Sequence, residues 1–208
     1  MMEEFIDLLL QNVPNANLDL PDPGLLQTYK DLKNRVVWID TEIDESLLDI
    51  VSKIIEWNRE DQELPLIERQ PIKIFFNSPG GNLDIEETLV SIIKLSKTPI
   101  YGFALGMVAS AASMIFLATH KRFAFHNAYL ILHKGSCQNI SGDYTNVQNA
   151  MEDYRKQIEK LEEFYVENTN IPKEIIKEKL NSDWYIRGED LIKYGLVQEW
   201  VDDIGVLL

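Results

Sequence analysis

The chain alternates short apolar runs with stretches that are apolar on one side only. Ile72, Ile74, Phe75 and Phe76 form a run that stops at Asn77-Ser78-Pro79-Gly80-Gly81. A second run, over 99–105, stops at Gly106-Met107-Val108-Ala109-Ser110. Apolar runs this short, bounded by small and turn-forming residues, predict buried strands. Between them, residues 84–96 carry the pattern of an amphipathic helix. Upstream, Val36-Val37-Trp38-Ile39 predicts another buried strand. Asp44-Glu45-Ser46 predicts the cap of a helix running to about Asn58, with Leu47, Leu48, Ile50, Val51, Ile54 and Ile55 as its apolar face. Ser110 begins a small and apolar run expected to form a buried helix, and strands are expected at 122–125 and Tyr129–Leu132. Strands apolar on both faces, alternating with helices, predict a layered α/β fold with a mostly parallel sheet.

Beyond this core the pattern loosens. Residues 1–13 predict a short amphipathic helix through Phe5, Leu8, Leu9 and Val13, and Asn12–Gly24, with three prolines, predicts a loop or mobile arm. After His133, residues 134–149 are rich in Gly, Ser, Gln and Asn and lack a strong period. Ala150–Glu167 then predicts a long helix striped by Met151, Tyr154, Ile158, Leu161, Phe164 and Tyr165. Spacing alone leaves two uses for that stripe: packing within the chain, or an arm that meets another subunit. A small helix is expected at Pro172–Leu180, a strand-turn at Trp184–Ile186, and a short helix at Glu189–Tyr194 closed by Gly195.

With 208 residues, one domain with a single sizeable core is expected. The net charge of −14 argues against nucleic acid as a partner, because phosphate binding needs basic surface. A single cysteine, Cys137, rules out an intrachain disulfide framework and fits a reducing compartment. The opening MMEEFIDLLL is acidic where a secretory signal is basic, and Ala104–Ala118, the longest apolar stretch, is too short for a membrane span. The expectation is a soluble, cytoplasmic protein with no membrane partner.

The candidate chemistry lies at the two strand ends. Gly80 and Gly81 let main-chain amides approach a ligand, and Ser110 stands at a helix N-terminus, where free N–H donors and partial positive charge collect. Of the three histidines, His120 and His126 fall in polar turns, whereas His133 ends an apolar strand at the same sheet edge. A nucleophilic serine needs such a base, and the base needs a third group to fix its tautomer. Asp143, Asp153, Asp183, Glu189 and Asp190 all lie downstream, and periodicity does not choose among them. Ser113 is a rival nucleophile, but one helical turn beyond Ser110 it should point back into the packing. There is no Gly-x-Ser-x-Gly elbow, Walker loop, dinucleotide fingerprint or metal-spaced Cys/His pair, so neither cofactor nor metal is expected.

Taken together, Phe76-Asn77-Ser78-Pro79-Gly80-Gly81, Gly106-Met107-Val108-Ala109-Ser110, Lys121-Arg122-Phe123 with Asn127, Ile131-Leu132-His133, and Asp183-Trp184-Tyr185 followed by Tyr194-Gly195-Leu196-Val197 resemble the ClpP family. These are proteolytic subunits of the ATP-dependent Clp protease. The motifs occur in the family's order from about Arg35 to Val197. The resemblance implies a crotonase-like α/β domain over 26–208 after an N-terminal arm of 1–25, with a protruding handle at about 134–167. It implies Ser110 as nucleophile, His133 as general base, Asp183 as its orienting carboxylate, and the amides of Gly81 and Ala111 as an oxyanion hole. The implied assembly is a homo-oligomer of two stacked heptameric rings joined through the handles, fed by an AAA+ unfoldase and acting on peptides and unfolded polypeptides. It tilts the striped helix toward contact between rings. The sequence departs from the family at Lys134-Gly135, usually Gln-Pro, and at Ala111-Ala112, usually Met-Gly.

Three other readings share parts of this pattern. A crotonase-type acyl-CoA enzyme would use the same fold and backbone donors with glutamates and CoA. A catalytically silent ring subunit would keep the residues without the aligned geometry. A Ser–Lys peptidase would take Lys97, Lys121 or Lys134 as its base.

Overall fold

A computed structural model describes residues 22–135 and 140–207. The expected helix over 1–13, most of the expected arm and Cys137 lie outside the described residues. The chain divides into a first unit, Met1–Asn34, and a second, Arg35–Leu208. Within the first, α1 spans Pro23–Lys33. The sequence pattern predicts a loop to Gly24 and no helix after it, yet Asp22 and Pro23 are a start signal. The Asp22 carboxylate accepts from the Gly24 amide at 2.7 Å, and proline at the first helical position gives up no bond the helix would have made.

The second unit contains β1 (Val36–Ile39), α2 (Leu48–Glu60), β2 (Ile72–Ser78), α3 (Leu83–Leu95), β3 (Ile100–Ala109), α4 (Ala111–Ala118), β4 (Lys121–Ala124), β5 (Tyr129–Leu132), α5 (Tyr144–Asn168), α6 (Lys173–Lys179), β6 (Trp184–Arg187), α7 (Glu189–Lys193) and β7 (Glu199–Trp200). The strands join in the order β1-β2-β3-β4-β7, every pair parallel. β5 pairs in parallel with the far end of β3, and β6 runs antiparallel to β5. The expected mostly parallel sheet is therefore present.

One face of the sheet is the main core. Ile39, Ile72, Ile74, Phe76 and Ala104 are fully buried, as are Ile54, Leu89 and Ile93 from the helices. All eight residues of α4 are buried, as its uniformly apolar sequence predicts. The other face carries an aromatic ladder set by strand register. Trp38 pairs with Phe75, Phe75 with Phe103, and Phe103 with Phe123, and successive rings lie 4.7, 5.0 and 4.8 Å apart. Each such cross-strand contact adds about 0.5–1.5 kcal/mol beyond burial.

Several boundaries differ from expectation. On α2, Leu48 and Ile55 are exposed, while Trp57 takes a place in the core. The third strand does not stop near 105 but runs through Gly106 to Ala109, because Met107–Ala109 find partners in Tyr129–Ile131. α5 starts at Tyr144 rather than 150: the Asp143 side chain accepts from the Asn146 amide and caps a stretch whose polarity had concealed its helix. Its stripe divides. Phe164 and Tyr165 are buried against the domain, Tyr154, Ile158 and Leu161 are half-buried, and Met151 and Tyr144 are exposed.

Candidate active site

The site is built where three strands end. α3 begins just after the Gly80-Gly81 turn; Asn82 accepts from the amides of Asp84 and Ile85, and Ile85, Leu89 and Ile93 anchor one face. Ser78, fully buried, reaches the Thr41 carbonyl and accepts from the Gly80 amide. The turn is also tied to Ile43, which donates to the Gly80 carbonyl and accepts from the Asn82 amide, each at 2.8 Å. That bridge leaves the Gly81 amide outside it.

Gly80 backs directly onto the serine. A β-carbon there would lie 2.6 Å from both the Ala109 carbonyl oxygen and the Ser110 β-carbon. Only glycine permits this approach, and its φ of 94° lies in the region that favours glycine. Ser110 itself has φ 54° and ψ −129°, an uncommon conformation for a residue with a side chain. Its amide donates to the Ile131 carbonyl at 2.9 Å, tying the turn to β5. Ala111 is the first residue of α4, so its N–H has no partner within the helix.

The antiparallel β5–β6 pairing supplies the rest. Its last paired residues are Leu132 and Trp184, so His133 and Asp183 face each other one step beyond. His133 Nδ1 lies 3.2 Å from Asp183 Oδ1, and His133 Nε2 lies 2.6 Å from Ser110 Oγ. Residues 110, 133 and 183 thus form one continuous chain of hydrogen bonds. The His133 side chain is 30% exposed and that of Asp183 60%, so the carboxylate stands largely in solvent.

The remaining candidates lie elsewhere. Ser113 is fully buried and bonds the Ser110 carbonyl, as its helical offset predicts. Asp143 caps α5, Asp153 accepts from Gln157, and Asp190 lies near Lys193. Lys121 pairs with Glu199, and Lys134 pairs with Glu162 at 3.1 Å and donates to Asn181, while an imidazole occupies the place beside Ser110 Oγ. His126 lies 2.7 Å from Asp202 and stacks on Trp200. His120 accepts through Nδ1 from the Ile100 amide, so this turn histidine also braces β3.

Sequence reasoning missed two supporting residues. Asn77 accepts from the Met107 amide at 3.2 Å, bridging the point where the β2–β3 register shifts. Tyr165 reaches the Ser113 hydroxyl from α5. Asn77 stood at the end of an apolar strand, a visible signal; Tyr165 read as one more member of an apolar stripe.

The chain matches the Clp protease family model over residues 25–203. It belongs to the Clp protease family. It is 27% identical over 194 residues to the ATP-dependent Clp protease proteolytic subunit 2 of Treponema denticola, covering 90% of this chain and 91% of that one. The corresponding subunit of Deinococcus radiodurans is 24% identical over 174 residues, 82% of each chain. Among solved structures, a ClpP1 mutant from Listeria monocytogenes superposes with a TM-score of 0.74 at 25% identity, over 88% of this chain and 99% of that one. The family and the crotonase-like ClpP fold expected from the motifs are therefore both present, and the family is one of peptidases. No helix among the described residues is long and apolar enough to cross a membrane.

Proposed function

We propose that this Clp protease family member is a serine endopeptidase in which Ser110 is the nucleophile, His133 the general base and Asp183 the group that orients it. The observation that carries the reading is the 2.6 Å separation of Ser110 Oγ from His133 Nε2, with Asp183 on the opposite ring nitrogen. Ser110 Oγ attacks a peptide carbonyl carbon as His133 takes its proton. The oxyanion that forms is received by the amides of Gly81 and Ala111. His133 then protonates the leaving amine, and water, activated by the same imidazole, releases the acyl group. One donor of such an anion hole is worth about 10²–10³ in turnover. Because the donors are backbone groups, the departure at Ala111 from the family's usual residue leaves them intact.

Family membership favours peptide over acyl-CoA as substrate. The half-exposed stripe of α5 supports a handle at about 134–167 that meets a second copy, within a homo-oligomer of stacked heptameric rings in the cytoplasm. Unfolded polypeptide would reach the chamber through an AAA+ partner.

The deciding experiment is labelling with a serine-reactive fluorophosphonate, followed by hydrolysis of a fluorogenic peptide. The wild-type protein should label at Ser110 and cleave; Ser110→Ala should do neither while assembling normally. Cleavage by Ser110→Ala at the wild-type rate would reject the assignment, and a wild-type protein that neither labels nor cleaves would identify a silent subunit.

A further inference from the structure

Ser110 holds backbone angles that strain a residue with a side chain, so the peptide that follows it must be held by its surroundings. Its carbonyl accepts twice from Ser113, from the amide at 2.9 Å and from the hydroxyl at 2.6 Å. A serine hydroxyl has one proton, and here that proton is directed at the Ser110 carbonyl. The other neighbour of Ser113 Oγ is the Tyr165 hydroxyl, 3.2 Å away. Tyr165 must therefore donate and Ser113 accept. Burial raises the Tyr165 phenol above its ordinary value, which keeps that donor protonated.

Packing does not account for this arrangement. A phenylalanine and an alanine would fill the same space without burying two hydroxyls, each of which must recover its lost hydration. What the hydroxyls add is direction: a chain from Tyr165 on α5, through Ser113, to the one peptide that joins Ser110 to Ala111.

We infer that Tyr165 is a positioning residue for the nucleophile, acting through the Ser113 hydroxyl to fix the Ser110–Ala111 peptide. That peptide sets both the aim of Ser110 Oγ and the direction of the Ala111 amide. The inference rests on the serine-peptidase reading above and adds to it a role for the buried end of α5.

The test uses full-length protein carrying Tyr165→Phe, Ser113→Ala, or both. Each is compared with wild type for kcat and KM on a fluorogenic peptide, for the rate of fluorophosphonate labelling, and for thermal midpoint. Small displacements of a reacting group cost far more rate than binding. Tyr165→Phe should therefore lower kcat and labelling about tenfold with KM within about twofold. Ser113→Ala should do the same, and the double variant should be no worse than the poorer single, as expected for residues acting in one chain. Wild-type rates in Tyr165→Phe would overturn the inference. So would losses that multiply in the double variant, or losses that follow the fraction of folded protein. If the wild-type chain itself fails to label, the peptidase reading falls and this inference with it; if the wild type labels and Tyr165→Phe labels equally fast, this inference alone falls.

Discussion

Arg35 and Asp61 meet as a two-pronged ion pair inside the protein, with Nη1 2.6 Å from Oδ2 and Nη2 2.9 Å from Oδ1. Only 8% of Arg35 and 2% of Asp61 is exposed. Thr98 donates to the same carboxylate at 2.7 Å, and Arg35 also donates to the Gln70 carbonyl. One carboxylate thus joins the end of α2, the start of β1 and the turn before β3. Removing Asp61 leaves the buried Arg35 guanidinium with only the half-exposed Glu60 carboxylate, 3.0 Å from Nη2, as a counter-charge. Asp61→Ala should therefore lose about 3 kcal/mol of stability in urea unfolding, the low end for breaking a buried pair. The guanidinium beside it holds the Asp61 carboxyl below its ordinary value. This stability is present above the unfolded-state pKa and is lost as pH falls through the lower folded one, so Asp61→Asn should flatten the acid limb of the stability curve. An Asp61→Ala protein within 1 kcal/mol of wild type would contradict this account.

Ser110 sits at φ 54°, where glycine is at ease and serine is not. Ser110→Gly should relieve about 1–3 kcal/mol of strain, partly offset by the lost bond to His133 of about 1 kcal/mol. The expected result is a protein that unfolds at a higher temperature and does not cleave peptide. Calorimetry and a peptide assay check both halves, and a lower melting temperature would show that the turn is not strained.

Asp183 lies 3.2 Å from the imidazole with 60% of its side chain in solvent. In the proposed triad water would screen its charge, leaving it chiefly to hold the ring in one orientation. A buried carboxylate in this role contributes about 10⁴ in turnover. Asp183→Asn should therefore cost less than that, measured as kcat on a fluorogenic peptide, and clearly less than Ser110→Ala. Equal losses in the two variants would refute the argument from exposure.

Glu86 is 2% exposed on α3 and lines a cavity of about 500 Å³ between α3 and α5, together with Glu87, Met114, Lys160, Leu161 and Phe164. Burial first, and then the charge of Glu87, raises its pKa to about 8, while Lys94 acts in the opposite sense. A carboxyl with a raised folded pKa stabilises the fold below its unfolded value, and that contribution is lost as pH rises toward about 8. Wild-type stability should thus decline from pH 5 to pH 8, and Glu86→Gln should remove much of the decline. Parallel melting curves for the two proteins across that range would argue against a neutral Glu86.

Local pattern carries a great deal here because it records burial. Val36–Ile39, Leu83–Leu95 and Tyr129–Leu132 were legible since each must hide its apolar residues in a way that only one period allows. Elements whose existence depends on a distant partner were not. β7, two residues long at Glu199–Trp200, exists only by pairing with Phe123 and Ala124. Likewise Met107–Ala109 are strand only because β5 lies alongside, and a glycine at 106 reads locally as an ending.

The same division runs through the site. By itself the sequence determined that a serine at a helix start and a histidine at a strand end would share one edge of the sheet, because chain order and strand direction are written in it. It offered five carboxylates as the third group and had no means within pattern of choosing among them; likeness to a family made that choice. Only the tertiary structure decided that Asp183, and not its rivals, stands opposite His133. The reason is register: Leu132 pairs with Trp184, and an antiparallel ladder extended by one residue brings the next side chains together. Which residues hydrogen-bond across a sheet depends on how the whole chain packs, and no local window contains that.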